Sequence, residues 1–147
     1  MNRCAVVTTP IDVAALLREV TSRATGATTL FVGTVRDVND GRAVTGIEYS
    51  AYSAMAHDEM ERIAAEASER FHGVRVAIEH RVGMLGLEEI SVAIAVAHPR
   101  RAPAMDASRY IIEELKRRVP VWKQEHYVDG ERVWIDPTVA HTTVSPT

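Results

Sequence analysis

The sequence predicts a single α+β domain with a largely antiparallel sheet and about three main helices. Its 147 residues are enough to bury one core and too few to call for two. Three stretches carry helical spacing, at 10–23, at 53–71 and at about 102–118. Between them, apolar and alternating stretches are joined by short segments rich in Gly, Asn and Asp, the chemistry of hairpin turns rather than of long parallel crossovers.

In TTPIDVAALLREVTSRATG, Thr9 is a candidate N-cap with Pro10 at the first helical position, and Gly26 lies past the far end. ATTLFVGTVR and VTGIEYSAY are rich in β-branched residues, and the DVNDGRA between them predicts a hairpin with a mobile tip. Ser53 can cap the second helix, whose Met60, Ile63, Ala64, Ala67 and Phe71 share a face, and Gly73 ends it. VRVAIEHRVG and ISVAIAVAH follow as strands with a glycine-containing link at 83–88. The second of these is almost continuously apolar, as a central strand buried on both faces would be. The third helix is expected to turn Met105, Ile111, Ile112 and Leu115 toward the sheet. Pro120 disfavours helical geometry at Val119, so that helix ends there and VWKQEHYV runs on as a strand, turned by Asp129 and Gly130 into ERVWI. Met55, Met60, Met84 and Met105 are expected to pack in the core. Residues 1–136 then form the domain and the polar 137–147 a loosely ordered tail.

Composition removes several function classes. Hydrophobic residues make up 46% and charged residues 25%, which fits a globular chain and neither a disordered one nor a fibre. A net charge of −3 opposes non-specific nucleic-acid binding, which needs many cations facing phosphates. No apolar run reaches the roughly 18 residues of a membrane span, and the N-terminus lacks the layout of a secretory signal, so a cytoplasmic location is expected. The single cysteine, Cys4, lies in a terminal stretch expected to be mobile and supports neither a disulfide framework nor a cysteine metal site. The six histidines form no H-x-x-x-H pair, so no metal is expected. His80, within a strand, reads as a hydrogen-bonded structural histidine.

The sharpest signal is LKRRVPVWKQE. Of 17 basic residues only two are lysines, Lys116 and Lys123, and they flank Pro120 at the junction of helix and strand. Arginine keeps its proton in a protein, whereas lysine can lose one and then attack a carbonyl or accept a proton. Two readings stand: a functional pair of titratable amines, or cations that complement the last turn of a helix. Work at neutral pH would need one amine to fall about 3 units from its reference value, through burial and neighbouring cations. Elsewhere, GTVRDVNDGR places Arg36 at a strand end entering a glycine-containing loop, either a solvated charge or a group aimed at phosphate or carboxylate. HPRRAPAMD sets His98, Arg100 and Arg101 before a helix N-terminus, either a solvated loop or an anion site.

With GTVRD, IEYSAYSAM, EHRVG, RRAPAMDASRYIIEELK and VPVWKQE in hand, the chain resembles the large, catalytic subunit of molybdopterin synthase, the MoaE family, from about Gly26 to Ile135. The resemblance implies an α/β hammerhead-type domain that forms a homodimer at the centre of a heterotetramer. A small ubiquitin-like sulfur-carrier subunit binds at each end. That partner's C-terminal Gly-Gly thiocarboxylate delivers two sulfurs in turn to cyclic pyranopterin monophosphate, giving the dithiolene of molybdopterin with no resident cofactor.

Carried over by position, Lys116 and Lys123 match the family's active-site lysines. Thr34, Val35 and Arg36 match the segment that holds the phosphate or pterin, Gln124 and Glu125 extend the Lys123 side, and Arg101 keeps its place in the comparison. Where the family usually shows His-Arg before the third helix, this chain has Arg100-Arg101. Arg100 can bind an anion but cannot shuttle a proton, so an acid-base role there would require His98 to swing in. The alternative function is a non-catalytic adaptor that recognises a ubiquitin-like tail through the same basic groove.

Overall fold

The structure is a computed structural model that describes residues 2–136; the expected tail at 137–147 lies outside the described residues. The chain runs β1 (Asn2–Val7), α1 (Val13–Val20), β2 (Ala27–Thr34), β3 (Val38–Asn39), β4 (Arg42–Ala51), α2 (Ser53–Arg70), β5 (Arg75–Arg81), β6 (Gly83–Gly86), β7 (Ile90–His98), α3 (Arg101–Arg118), β8 (Val121–Tyr127) and β9 (Arg132–Ile135). The expected α+β class, with three helices and mostly antiparallel pairing, is what the chain adopts.

The strands divide between two sheets rather than forming one. The first has the order β1-β5-β7-β2, antiparallel except for the parallel β1–β5 pair. The second has the order β3-β4-β8-β9, with β6 also paired to β4. The link expected at 83–88 therefore contains a strand of its own.

β7 is central, as its apolar run predicts, and each of its faces has a different partner. Ala93, Ala95 and Ala97, with Ala77 of β5, leave room for α1 to bring Leu16 and Val20 onto the sheet. Val92, Ile94 and Val96 face the opposite way, into the larger core of α2, α3 and the second sheet. There Met60, Ile63 and Ala64 of α2 meet Ala107, Ile111 and Leu115 of α3. Burying a side chain the size of Ile or Leu contributes roughly 1.5–3 kcal/mol, so this interior carries most of the stabilisation.

Three expectations are corrected. Cys4 belongs to β1 and is buried, not mobile, and burial, helped by the charge of Glu61, pushes its thiol up to about 12, which makes it inert. α1 starts three residues after Pro10, because Asp12 is its cap: the carboxylate accepts from the Ala15 N–H at 3.1 Å. Of the four methionines only Met60 is in the core. Met105 is 59% exposed because the buried stripe of α3 runs through Ala104, Ala107, Ile111 and Leu115, one position away from it. Met55 and Met84 are also exposed.

Candidate active site

The α3–β8 junction sets the geometry. The Val119 N–H still closes a helical bond to the Leu115 carbonyl at 3.0 Å, but its ψ of 123° is extended, as the following proline requires. The chain then turns straight into β8, whose pairing with β4 sets Lys123 opposite Tyr49. Strand alternation buries Val121, Lys123, Glu125 and Tyr127 on one face.

Lys123 is only 7% exposed and Glu125 1% exposed. Their charged groups stand 3.9 Å apart. Burial lowers the Lys123 pKa and Arg36 lowers it further, while the Glu125 carboxylate opposes both. Lys116, in the last turn of α3, is half-buried. Desolvation, reinforced by the positive charge of Lys123, brings its pKa down to about 8. Work at neutral pH would require one of the two amines to fall toward neutrality, and burial moves Lys116 in that direction.

A small cleft opens on this face, lined by Arg36, Asn39, Val44, Ile47, Lys123 and Glu125. Arg36 leaves the end of β2 from a fixed backbone. The Val35 N–H donates to the Glu89 carbonyl at 3.1 Å, and the Val35 carbonyl accepts from the Glu88 N–H at 2.7 Å. His80 on β5 is 8% exposed; its Nδ1 is 2.9 Å from the Arg81 carbonyl and its ring meets Tyr49 edge-on at 5.4 Å. Burial holds its pKa down at about 4, with Lys116 adding to the effect, so this imidazole is neutral at physiological pH.

The structure thus gathers Arg36, Lys123 and Glu125 in one cleft, with Lys116 electrostatically coupled to it. Thr34 is exposed at the end of β2, and Val35 is buried and serves through its backbone. Gln124 points from the opposite face of β8, where its Oε1 lies 3.0 Å from His126 Nε2. Arg100 and Arg101 stand at the start of α3, while Lys116 is fifteen residues further along it, a separation of about 22 Å at 1.5 Å per residue. The length of α3 keeps these arginines away from the Lys116 of their own chain. His98 does not swing in either: its Nε2 is 2.8 Å from the His72 carbonyl and its Nδ1 accepts from the Arg100 N–H at 2.9 Å. Sequence reasoning missed Asn39, read only as part of a turn, and the electrostatic coupling of His80 to Lys116.

Fold and cleft together define a class: an α+β domain that presents an amine and a guanidinium around one buried carboxylate, with a second perturbed amine electrostatically coupled to them. A family model described as MoaE protein matches residues 6–118. The chain is 40% identical over 146 residues to the molybdopterin synthase catalytic subunit of Bacillus subtilis (strain 168), covering 99% of this chain and 92% of the relative. Among solved structures it is similar to molybdopterin synthase from Staphylococcus aureus, with TM-score 0.86 and 34% identity, covering 89% of this chain and 95% of that one. It shares its fold with a chain from the complex of subunits 1 and 2 of molybdopterin-converting factor from Helicobacter pylori 26695, with TM-score 0.74 and 22% identity, over 89% of this chain and 88% of that one. The chain belongs to the MoaE family.

Proposed function

We propose that this chain is the catalytic subunit of a molybdopterin synthase, with residues 1–136 as its working domain. It transfers two sulfurs from the C-terminal thiocarboxylate of a small ubiquitin-like subunit to cyclic pyranopterin monophosphate, in the cytoplasm. The observation that carries this reading is the cleft of Lys123, Arg36 and Glu125, with Lys116, its pKa near 8, coupled to it through the charge of Lys123, in a chain of this family. The H. pylori complex of subunits 1 and 2 is consistent with a second subunit as partner.

The chemistry follows from charge and proton demand. Two anions, a phosphate and a thiocarboxylate, must approach each other, and a cluster of cations offsets their repulsion. Arg36 is the group best shaped for phosphate. Lys123, held near Glu125, stabilises charge that develops as sulfur is delivered. Lys116 is the amine that can exchange a proton near neutral pH, since about a tenth of it is neutral at pH 7 when its pKa is about 8. Arg100 and Arg101, some 22 Å from their own Lys116, join such a pocket only if a second copy of the chain supplies them. The homodimer gives them that place.

The test is reconstitution with thiocarboxylated small subunit and the cyclic precursor. Lys116→Ala should lower dithiolene formation at least 100-fold while circular dichroism and melting stay near those of the parent. Near-normal turnover by that variant would defeat the assignment.

A further inference from the structure

We infer that Asn39 is a positioning residue that ties Arg36 to the Glu125–Lys123 pair and so sets the spacing between the phosphate and the reacting end of the substrate; this rests on the reading of the cleft just given. Asn39 is 8% exposed although its neighbours Val38 and Asp40 at the hairpin tip are exposed. Its amide is used at both ends. Nδ2 donates to Oε1 and to Oε2 of Glu125, each at 2.8 Å, and Oδ1 accepts from Arg36 Nη2 at 3.4 Å.

The local sequence explains how a hairpin-tip residue reaches the floor of the cleft. Asp40 and Gly41 have φ of 50° and 75°, the left-handed pair of a tight two-residue turn, which returns the chain so that Asn39 pairs with Arg42. β4 lies between β3 and β8, and Asn39 reaches Glu125 across 86 residues of sequence. Glu125 is almost wholly buried, so its oxygens need hydrogen-bond donors, and Asn39 provides two contacts while the Tyr127 hydroxyl gives a third at 3.2 Å.

Few side chains can do this. Aspartate offers Arg36 an acceptor but has no donor for Glu125 when ionised, and serine is too short to span both groups. An amide alone combines donor and acceptor in a rigid plane of the right length. Arg36, exposed at its strand end, then has one preferred direction relative to Lys123 rather than the many rotamers of a free arginine.

The experiment is steady-state kinetics of the complex loaded with thiocarboxylated partner, with pterin concentration varied. Conversion by the parent protein is checked first, because its failure would remove the function proposed above and this inference with it. Given parent turnover, Asn39→Ala should raise KM about 10-fold and lower kcat less. Asn39→Asp should be at least as impaired, since it keeps the attraction for Arg36 but faces Glu125 with a second carboxylate. A double-mutant cycle with Arg36→Ala gives the decisive readout: Arg36→Ala should cost about 10-fold in kcat/KM in the parent and under 3-fold in the Asn39→Ala background. Multiplicative effects, or an Asn39→Asp variant with parent kinetics, would overturn the inference while leaving the proposed function standing. If Asn39→Ala does not fold, Asn39→Ser replaces it in the same cycle, because the hydroxyl preserves one contact to Glu125 but does not reach Arg36.

Discussion

Burial, reinforced by the positive charge of Lys123 across the Pro120 junction, holds the Lys116 amine near a pKa of 8. A pH dependence follows, with its sign fixed. For a base that works in its neutral form, the active fraction grows as pH rises through the pKa. At pH 7 about one tenth of Lys116 is neutral, against about three parts in ten thousand for an unperturbed lysine. kcat/KM for pterin conversion should therefore climb to a plateau with an apparent pKa close to 8. Replacing Lys123 with Gln removes the neighbouring charge, so the rising limb should move to higher pH. A flat profile between pH 6.5 and 9 in the parent, or a Lys123→Gln limb displaced toward acid, contradicts this use of Lys116.

Arg36 stands at the cleft edge on a clamped backbone, so its removal should subtract binding more than chemistry. Arg36→Ala is expected to raise KM for the phosphorylated pterin about 10-fold, equivalent to ~1.4 kcal/mol, with kcat within about 2-fold. Arg36→Lys should recover only part of the loss, because an ammonium lacks the guanidinium fork. The measurement is initial rate against pterin concentration at saturating small subunit. An unchanged KM removes the phosphate role.

Much of this was legible in the chain itself, where local rules decide. The period of α2, the extent of α3, the apolar run of β7 and the proline that ends α3 all act within a few residues, and the structure follows them, although the buried stripe of α3 leaves Met105 out. β1 was not legible, since its pairing with β5 depends on residues more than seventy positions away. The cleft was half visible. Lys123 and Glu125 share a face by the two-residue period of a strand, and that same period puts Gln124 on the other side, a distinction that the similarity of the whole segment blurs. Asn39 was hidden because Asn-Asp-Gly so strongly signals a turn that a buried side chain there carries no local mark.

His80 makes a separate prediction about stability. Its neutral form is favoured in the folded chain, with pKa about 4 against an ordinary 6.5. As pH falls below 6.5 the unfolded chain takes up that proton first, so stability drops between pH 6.5 and 4 and the loss is complete below 4. A shift of this size corresponds to an order of 3 kcal/mol. His80→Gln should lower stability at neutral pH through lost packing against Tyr49, yet flatten the slope of unfolding free energy against pH in this window. Glu66, held near 2 chiefly by its hydrogen bond from Arg118, loses its contribution further down, between about 4.5 and 2, so the two are separable by urea titrations at stepped pH. Parallel slopes for parent and variant would exclude His80 as the acid-sensitive group.

The length of α3 makes the last prediction. Its first turn carries Arg101 and its last carries Lys116, and an 18-residue helix does not bend these ends together. If both belong to one catalytic pocket, each pocket takes its lysine from one copy and its arginine from another. Lys116→Ala and Arg101→Ala should then be severely impaired alone, yet active when unfolded together and refolded as mixed dimers. In a mixed dimer one pocket collects both defects and the other collects none. Random pairing makes half the dimers mixed, so about one quarter of parental activity should return. Subunits that exchange but regain no activity would show that each pocket draws on a single chain, and Arg101 would then have to act somewhere other than beside Lys116.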